Sequence, residues 1–434
     1  MPRNTHPPDA RQKLLKAIHL VAIFAATVTG TAAYGDDDDS IKRQQYAGMQ
    51  GKMVQATRQI NKNLAADLPA VTRQQEDAFN DAMRDGTRET DPQFEDLKAG
   101  LKTEFFKATD PAYKTDQQGF QSLKTRLQSR ILGRAGNGIR SSQERETFRK
   151  LVCRESLGIL KKLLQNNFQA RSLAITLLPE LQTVNPSRSD DPSRRIFDEA
   201  ADTLVEVLMD ENQSDAIKLG AAQSIIVYLE KVKPGGIIEI KFATALSSEL
   251  ESWLPEDGYQ FFLVEAMSKI RTAREVVGVK GKQRAIAIET LVNVMQDKRR
   301  APVIRCRAAG ALGSVGSDAQ IKFEPLAWKT VQLAAEMGAA YNVNPKSIHW
   351  NKCSEQLFLA FHQKGKEPVG GMLNRAPEST LVRDAYKQIL PICLAMLDSP
   401  AAIDSALLVN ARKWTIENQP ANLQFDAASP AVNP

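Results

Sequence analysis

The most reactive spacing in the chain belongs to His349 and Cys353, which are four residues apart and share a face if they lie on a helix, with His362 further along. An imidazole and a thiol on one face can begin a zinc site or a base–nucleophile pair. Zinc needs three or four donors, however, and no second pair with metal-ligand spacing occurs. Three other segments resemble binding loops and fall short. GRAGNGIR (133–140) carries three glycines but follows a helical pattern, whereas a phosphate cradle follows a strand. VKGKQ (279–283) lacks the Ser or Thr with which a P-loop holds magnesium. The acidic run Asp36–Asp39 lacks the Gly and the closing Glu of a calcium loop. G-x-S-x-G and H-E-x-x-H are absent, and two of the four histidines fall in the first 35 residues, so general acid–base chemistry has few candidates. The expectation is a protein that is not an enzyme, with no catalytic residue, no cofactor and no metal. The four cysteines, Cys153, Cys306, Cys353 and Cys393, form no C-x-x-C pair. In an oxidising compartment they could make two bridges. Each sits in an apolar helical pattern, so buried free thiols are the favoured reading.

Charge gives a second line of chemistry. Arg3, Arg11, Lys13 and Lys16 against Asp9 give residues 1–35 half of the net charge of +6, and the remainder is too small to predict nucleic-acid binding. Between Gln117 and Lys150 there are eight basic and two acidic residues. Lys124, Arg126, Arg130 and Arg134 fall opposite an apolar stripe of Phe120, Leu123, Leu127 and Ile131. Such a basic face suits anionic lipid, polysaccharide, phosphate or an acidic partner, and without interleaved aromatics it does not suit base stacking. The plainer reading is a solvated face.

The elements that position these residues are helices. Composition is globular, with 42% hydrophobic and 25% charged residues. Residues 1–35 read as an export signal, because basic residues precede the apolar run Leu20–Val28 and Ala33-Tyr34-Gly35 offers small residues for cleavage. The alternative is an uncleaved anchor, since Ala17–Gly35 is uncharged over 19 residues. Export implies a periplasmic or extracellular site. Residues 36–142 form an N-terminal helical region, with Phe94, Leu97, Leu101 and Phe105 on one stripe, and too few apolar positions to fold apart from the rest. Residues 143–416 repeat. Ala174, Ala221, Leu263 and Ala308 align with spacings of 47, 42 and 45 residues, and a further 45 reaches Cys353, which therefore occupies a packing position. A weaker copy falls at Ala402, Ala406 and Val409. DTLVEVLMD (202–210) and ETLVNVMQD (289–297) match at an offset of 87, two periods. Two helices per 40–47 residues is the signature of a helical-hairpin array. Pro179 and Pro391 should kink or end their helices. Residues 417–434, rich in Pro, Ala and Asn, are expected to be a disordered tail.

The segment R-C-R-A-A-G-A-L-G-S-V-G (305–316) resembles the second helix of a bacterial HEAT-like repeat of the phycobilisome-lyase type. The resemblance covers about 145–415. It implies an all-α protein, a right-handed α-solenoid of about five or six helical hairpins. It also implies a ladder between an Asp in the turn and a base in the second helix, here Asp210 with Lys218 and Asp297 with Arg305. Gln260 and Trp350 interrupt that ladder. The function it suggests is a non-enzymatic scaffold of the cell envelope that binds a protein partner on the concave surface made by the second helices. The alternative is an envelope-surface module whose basic 117–150 stretch contacts anionic lipid or polysaccharide. No nucleic-acid partner is expected, and no membrane span remains once the signal is removed.

Overall fold

A computed structural model describes residues 62–184, 195–231, 236–252, 259–270, 275–277, 282–315, 321–347, 349–362, 370–398 and 401–421. The expected export signal, residues 1–35, and the greater part of the expected tail lie outside the described residues. The described chain is built from helices, with two short antiparallel strand pairs, β1 (Gln182–Val184) with β2 (Arg195–Ile196), and β3 (Glu275–Val277) with β4 (Lys282–Arg284). Both pairs sit in connections between helices. Among the described residues the chain divides into two compact units, 62–252 with 259–287, and 288–421.

The first unit opens with α1 (Arg73–Asp85), α2 (Gln93–Phe106) and α3 (Gln117–Thr125). Thr72 and Gln75 start α1 with a reciprocal capping box, and Asp116 caps α3. Phe94, Leu97, Leu101 and Phe105 are all buried, as their spacing predicts. The second stripe behaves differently, because α3 gives way to a π-helical turn over Arg126–Leu132; Leu123, Leu127 and Ile131 are buried and Phe120 is half-buried. The glycine-rich segment that follows is structural. The Gly136 and Gly138 amides donate to the Met83 and Arg84 carbonyls at the end of α1, both at 2.8 Å. Gly136 has φ 72°, a conformation that L side chains avoid.

Hairpins then follow one another. The first unit holds α4 (Ser142–Leu163) with α5 (Phe168–Leu177), α6 (Asp198–Met209) with α7 (Asp215–Lys231), and α8 (Gly236–Ser252) with α9 (Gln260–Ser268). α10 (Ile286–Gln296) lies almost wholly within the second unit. It leads to α11 (Pro302–Leu312), then α12 (Phe323–Val343) with α13 (His349–Phe361), a single turn α14 (Met372–Arg375), and α15 (Thr380–Asp398) with α16 (Ser405–Glu417). A 3-10 turn at Leu178–Glu180 ends α5 at Pro179, whereas α15 continues through Pro391. Within the first unit α5, α7 and α9 pack in succession, and α6 packs on α8. Within the second, α11 packs on α13 and α12 on α15. Second helix thus meets second helix in both units, and first meets first at α6 with α8 and at α12 with α15, while α13 also packs on α15. Ala174, Ala221, Leu263, Ala308 and Cys353, the aligned positions, are all wholly buried at these contacts.

The last hairpin departs from this order, because α16 packs on α12. Trp328 Nε1 donates to the Thr415 carbonyl at 2.7 Å, and Asn342 exchanges two hydrogen bonds with the backbone of Ile403. Gly338 makes room for Leu408 there.

Candidate partner-binding surface

The bases singled out in the second helices hold the hairpins together, and they do so with partners other than the turn aspartates. Lys218 Nζ lies 2.9 Å from Glu249 Oε1, and Arg305 Nη2 lies 2.6 Å from Glu336 Oε2. Each base reaches the first helix of the following hairpin. The two pairs are offset by 87 residues at both ends, the period that relates DTLVEVLMD to ETLVNVMQD. Asp210 instead accepts from the side chains of Asn212 and Gln213, and Asp297 from Arg299 and Arg300 in its own turn. Arg299 holds the Asp297 carboxyl down to about 2.

The position aligned across second helices has a further role that spacing alone did not reveal. Arg171 Nε donates to the Asn166 carbonyl, Arg305 Nε to Met295 and Trp350 Nε1 to Asn344, at 2.6, 2.8 and 2.7 Å. Each carbonyl belongs to the end of the first helix or to the turn after it, where backbone acceptors lack an intrahelical partner. Trp350 therefore replaces the base with another N–H donor.

The basic residues split. Arg126 is tied to the buried Glu104 at 2.8 Å, which also takes Lys107 at 2.8 Å. The π-helical turn brings Arg126 and Arg130 to the rim of one cavity of about 700 Å³, with Lys107 and Tyr113. Lys124 and Arg134 do not line it. Arg130 and Arg134 are exposed and Lys124 half-buried.

Two further concavities meet on α4. One, about 660 Å³, lies between α4 and the 85–91 loop; the other, about 840 Å³, lies between α4, β2 and the N-terminal turns of α6 and α8. Lys150 and Arg154 line both. The walls carry spaced ion pairs: Arg154 with Glu89 at 2.6 Å, Lys150 with Glu146 at 2.9 Å and Lys241 with Asp202 at 2.6 Å. Ile237, 74% exposed, is the most exposed apolar residue on this rim, with Phe197 and Ile238 half-buried beside it. Tyr228 lies beneath, its hydroxyl pKa raised by burial and by Asp198 and Asp202. By contrast, α11 is buried without a break from Ile304 to Leu312 and presents no strip to solvent.

No catalytic grouping emerges among the described residues. His349 Nδ1 is 2.6 Å from Ser347 Oγ and its ring packs on Trp350, while Cys353 is wholly buried. Burial lowers the His349 pKa, so the ring is neutral at pH 7. His362 stacks on Phe358, with ring centroids 4.2 Å apart. Among the described residues no group of three or more His, Cys, Asp or Glu can hold a metal ion, and no helix is long and apolar enough to cross a membrane. All four cysteines are buried free thiols. Compared with protein-family models, with curated proteins and with solved structures, the chain matches none.

Proposed function

We propose that this chain is an exported, non-enzymatic HEAT-like α-solenoid that holds a protein partner in the cell envelope. The recurrence of one inter-hairpin ion pair at an interval of 87 residues carries this reading, because an array built by repetition places equivalent contacts at equivalent positions. Buried second helices such as α11 supply the core of such an array. The surface offered to a partner is then the double concavity along α4, with Ile237 as an apolar contact and Arg154 and Lys150 at its centre. Cross-linked pull-down from an envelope fraction should recover one partner in stoichiometric amount, and Ile237→Asp with Arg154→Glu should abolish the capture. Undiminished capture by that variant, or none by the wild type, would count against the reading. N-terminal sequencing of protein from fractionated cells tests export, with Asp36 as the expected first residue.

A second reading draws on Arg126 and Arg130 at one cavity rim, and makes the protein a surface module for anionic lipid. It predicts vesicle binding that weakens with salt and is lost on charge reversal at Arg126, Arg130 and Arg134. Unchanged binding ends that reading.

A further inference from the structure

Three of the four thiols, Cys306, Cys353 and Cys393, lie in the second unit, and none of them is exposed. Two are placed opposite each other by the register of α11 against α13. A Cβ on Gly310 would stand 3.0 Å from the Gln356 carbonyl oxygen, and one on Gly313 would stand 2.6 Å from that of Ala360. The helices are therefore in backbone contact along this edge, at sequence offsets of 46 and 47. Cys306 and Cys353 have the same offset, 47, and each precedes its glycine-contact partner, Gly313 or Ala360, by seven residues, about two helical turns. That register sets the two positions level across the seam, both wholly buried, and the Cys306 thiol is raised first by burial and then by the neighbouring Cys353 thiol. Disulfides need Cα atoms about 4.4–6.8 Å apart, a range that helices in glycine contact reach.

We infer that Cys306 and Cys353 are a disulfide-forming pair that links α11 to α13 when the chain folds in the presence of a disulfide oxidant. Cys393 is the competing partner. It sits on α15, where the Ser354 hydroxyl donates to its carbonyl at 2.8 Å. Cys153 belongs to the other unit. The link begins before the seam closes and is completed as it closes. Once the helices have packed, burial raises the Cys306 and Cys393 thiols, leaving almost no thiolate to attack an oxidant. While α13 is still undocked, a Cys306 or Cys353 thiolate attacks oxidised glutathione. That gives a mixed disulfide and expels one glutathione thiolate. As α13 begins to dock, the register brings the second cysteine alongside; deprotonated, it attacks the protein sulfur and expels the other glutathione thiolate. Two protein thiols and one glutathione disulfide become one protein disulfide and two glutathione thiols.

The test is refolding of the full chain from urea in a buffer of oxidised and reduced glutathione, followed by alkylation under denaturing conditions and peptide mapping by mass spectrometry. The expected product has a peptide pair joined through Cys306 and Cys353, with Cys153 and Cys393 alkylated. The same map made after adding oxidised glutathione to already folded, reduced protein should show all four alkylated. Cys393→Ser should keep the link and Cys306→Ser should lose it. Recovery of four free thiols after oxidative refolding, or a link made through Cys153 or Cys393, would overturn the inference. Because mapping is done on the wild-type chain, a variant that fails to fold does not obscure the result.

Discussion

The two units share one ion-pair contact between helices and surround it differently. Lys218–Glu249 in the first and Arg305–Glu336 in the second are the same contact repeated, yet Glu249 is 6% exposed and Glu336 39%. Glycines differ too. In α7 of the first unit Gly220 has only Ile175 nearby, at 3.5 Å from a notional Cβ, so it can take a methyl group. In the second unit Gly313 is pressed against two carbonyl oxygens of α13. The first unit keeps its concavities and its spaced ion pairs on α4, α6 and α8. The second puts α11 out of reach of solvent and lines the seam with thiols. One unit thus keeps open, charged concavities beside its first helices, and the other sinks α11 wholly into its core.

Substitutions can break this contrast or sharpen it. Among the two largest effects is Gly313→Val, whose side chain has nowhere to go without moving backbone; it should cost about 3 kcal/mol in urea unfolding. Gly220→Ala in α7 should instead be neutral or stabilise by up to about 0.5–1 kcal/mol. Equal costs at the two sites would erase the distinction. Next, Glu249→Gln leaves the Lys218 ammonium buried without its counter-charge and should cost about 3 kcal/mol. Glu336→Gln, on the more exposed partner, should cost about 1 kcal/mol. The smallest effect is at the turn before α11. The Asp297 carboxyl is held at about 2 by Arg299, so its contribution is present above the unfolded-state pKa near 4 and fades as pH falls towards 2. Arg299 is exposed, which limits Asp297→Asn to about 0.5–1 kcal/mol at pH 7. Wild type and variant should converge in stability as pH drops through that window, and a difference that persists at pH 2 would refute the electrostatic origin.

What could be read from the sequence followed from burial. A position that every hairpin must bury favours small or apolar residues, so Ala174, Ala221, Ala308 and Cys353 announced the period, and the structure buries each of them fully. The helices themselves were legible for the same reason. Partner choice was not, because Lys218 reaches 31 residues ahead, across a whole helix connection, while Asp210 lies only eight residues away and looks nearer. The role of Arg171, Arg305 and Trp350 as donors to helix-end carbonyls was hidden by their different chemistry, although all three carry a side-chain N–H. The cavity beside Arg126 and Arg130 depends on a π-helical turn, which an ordinary 3.6-residue reading of the stripe does not supply. The concavities on α4 join segments from 85 to 241 that no single motif connects.

The repeated contact between hairpins is the claim on which the rest stands, and a double-mutant cycle at Lys218 tests it most directly. With Lys218→Met and Glu249→Met singly and together, the two residues should couple by about 2 kcal/mol or more, while Lys218 and Asp210 should couple by about zero. Strong coupling to Asp210 with none to Glu249 would mean that the base closes its own hairpin, and the hairpin-to-hairpin order described for both units would be contradicted.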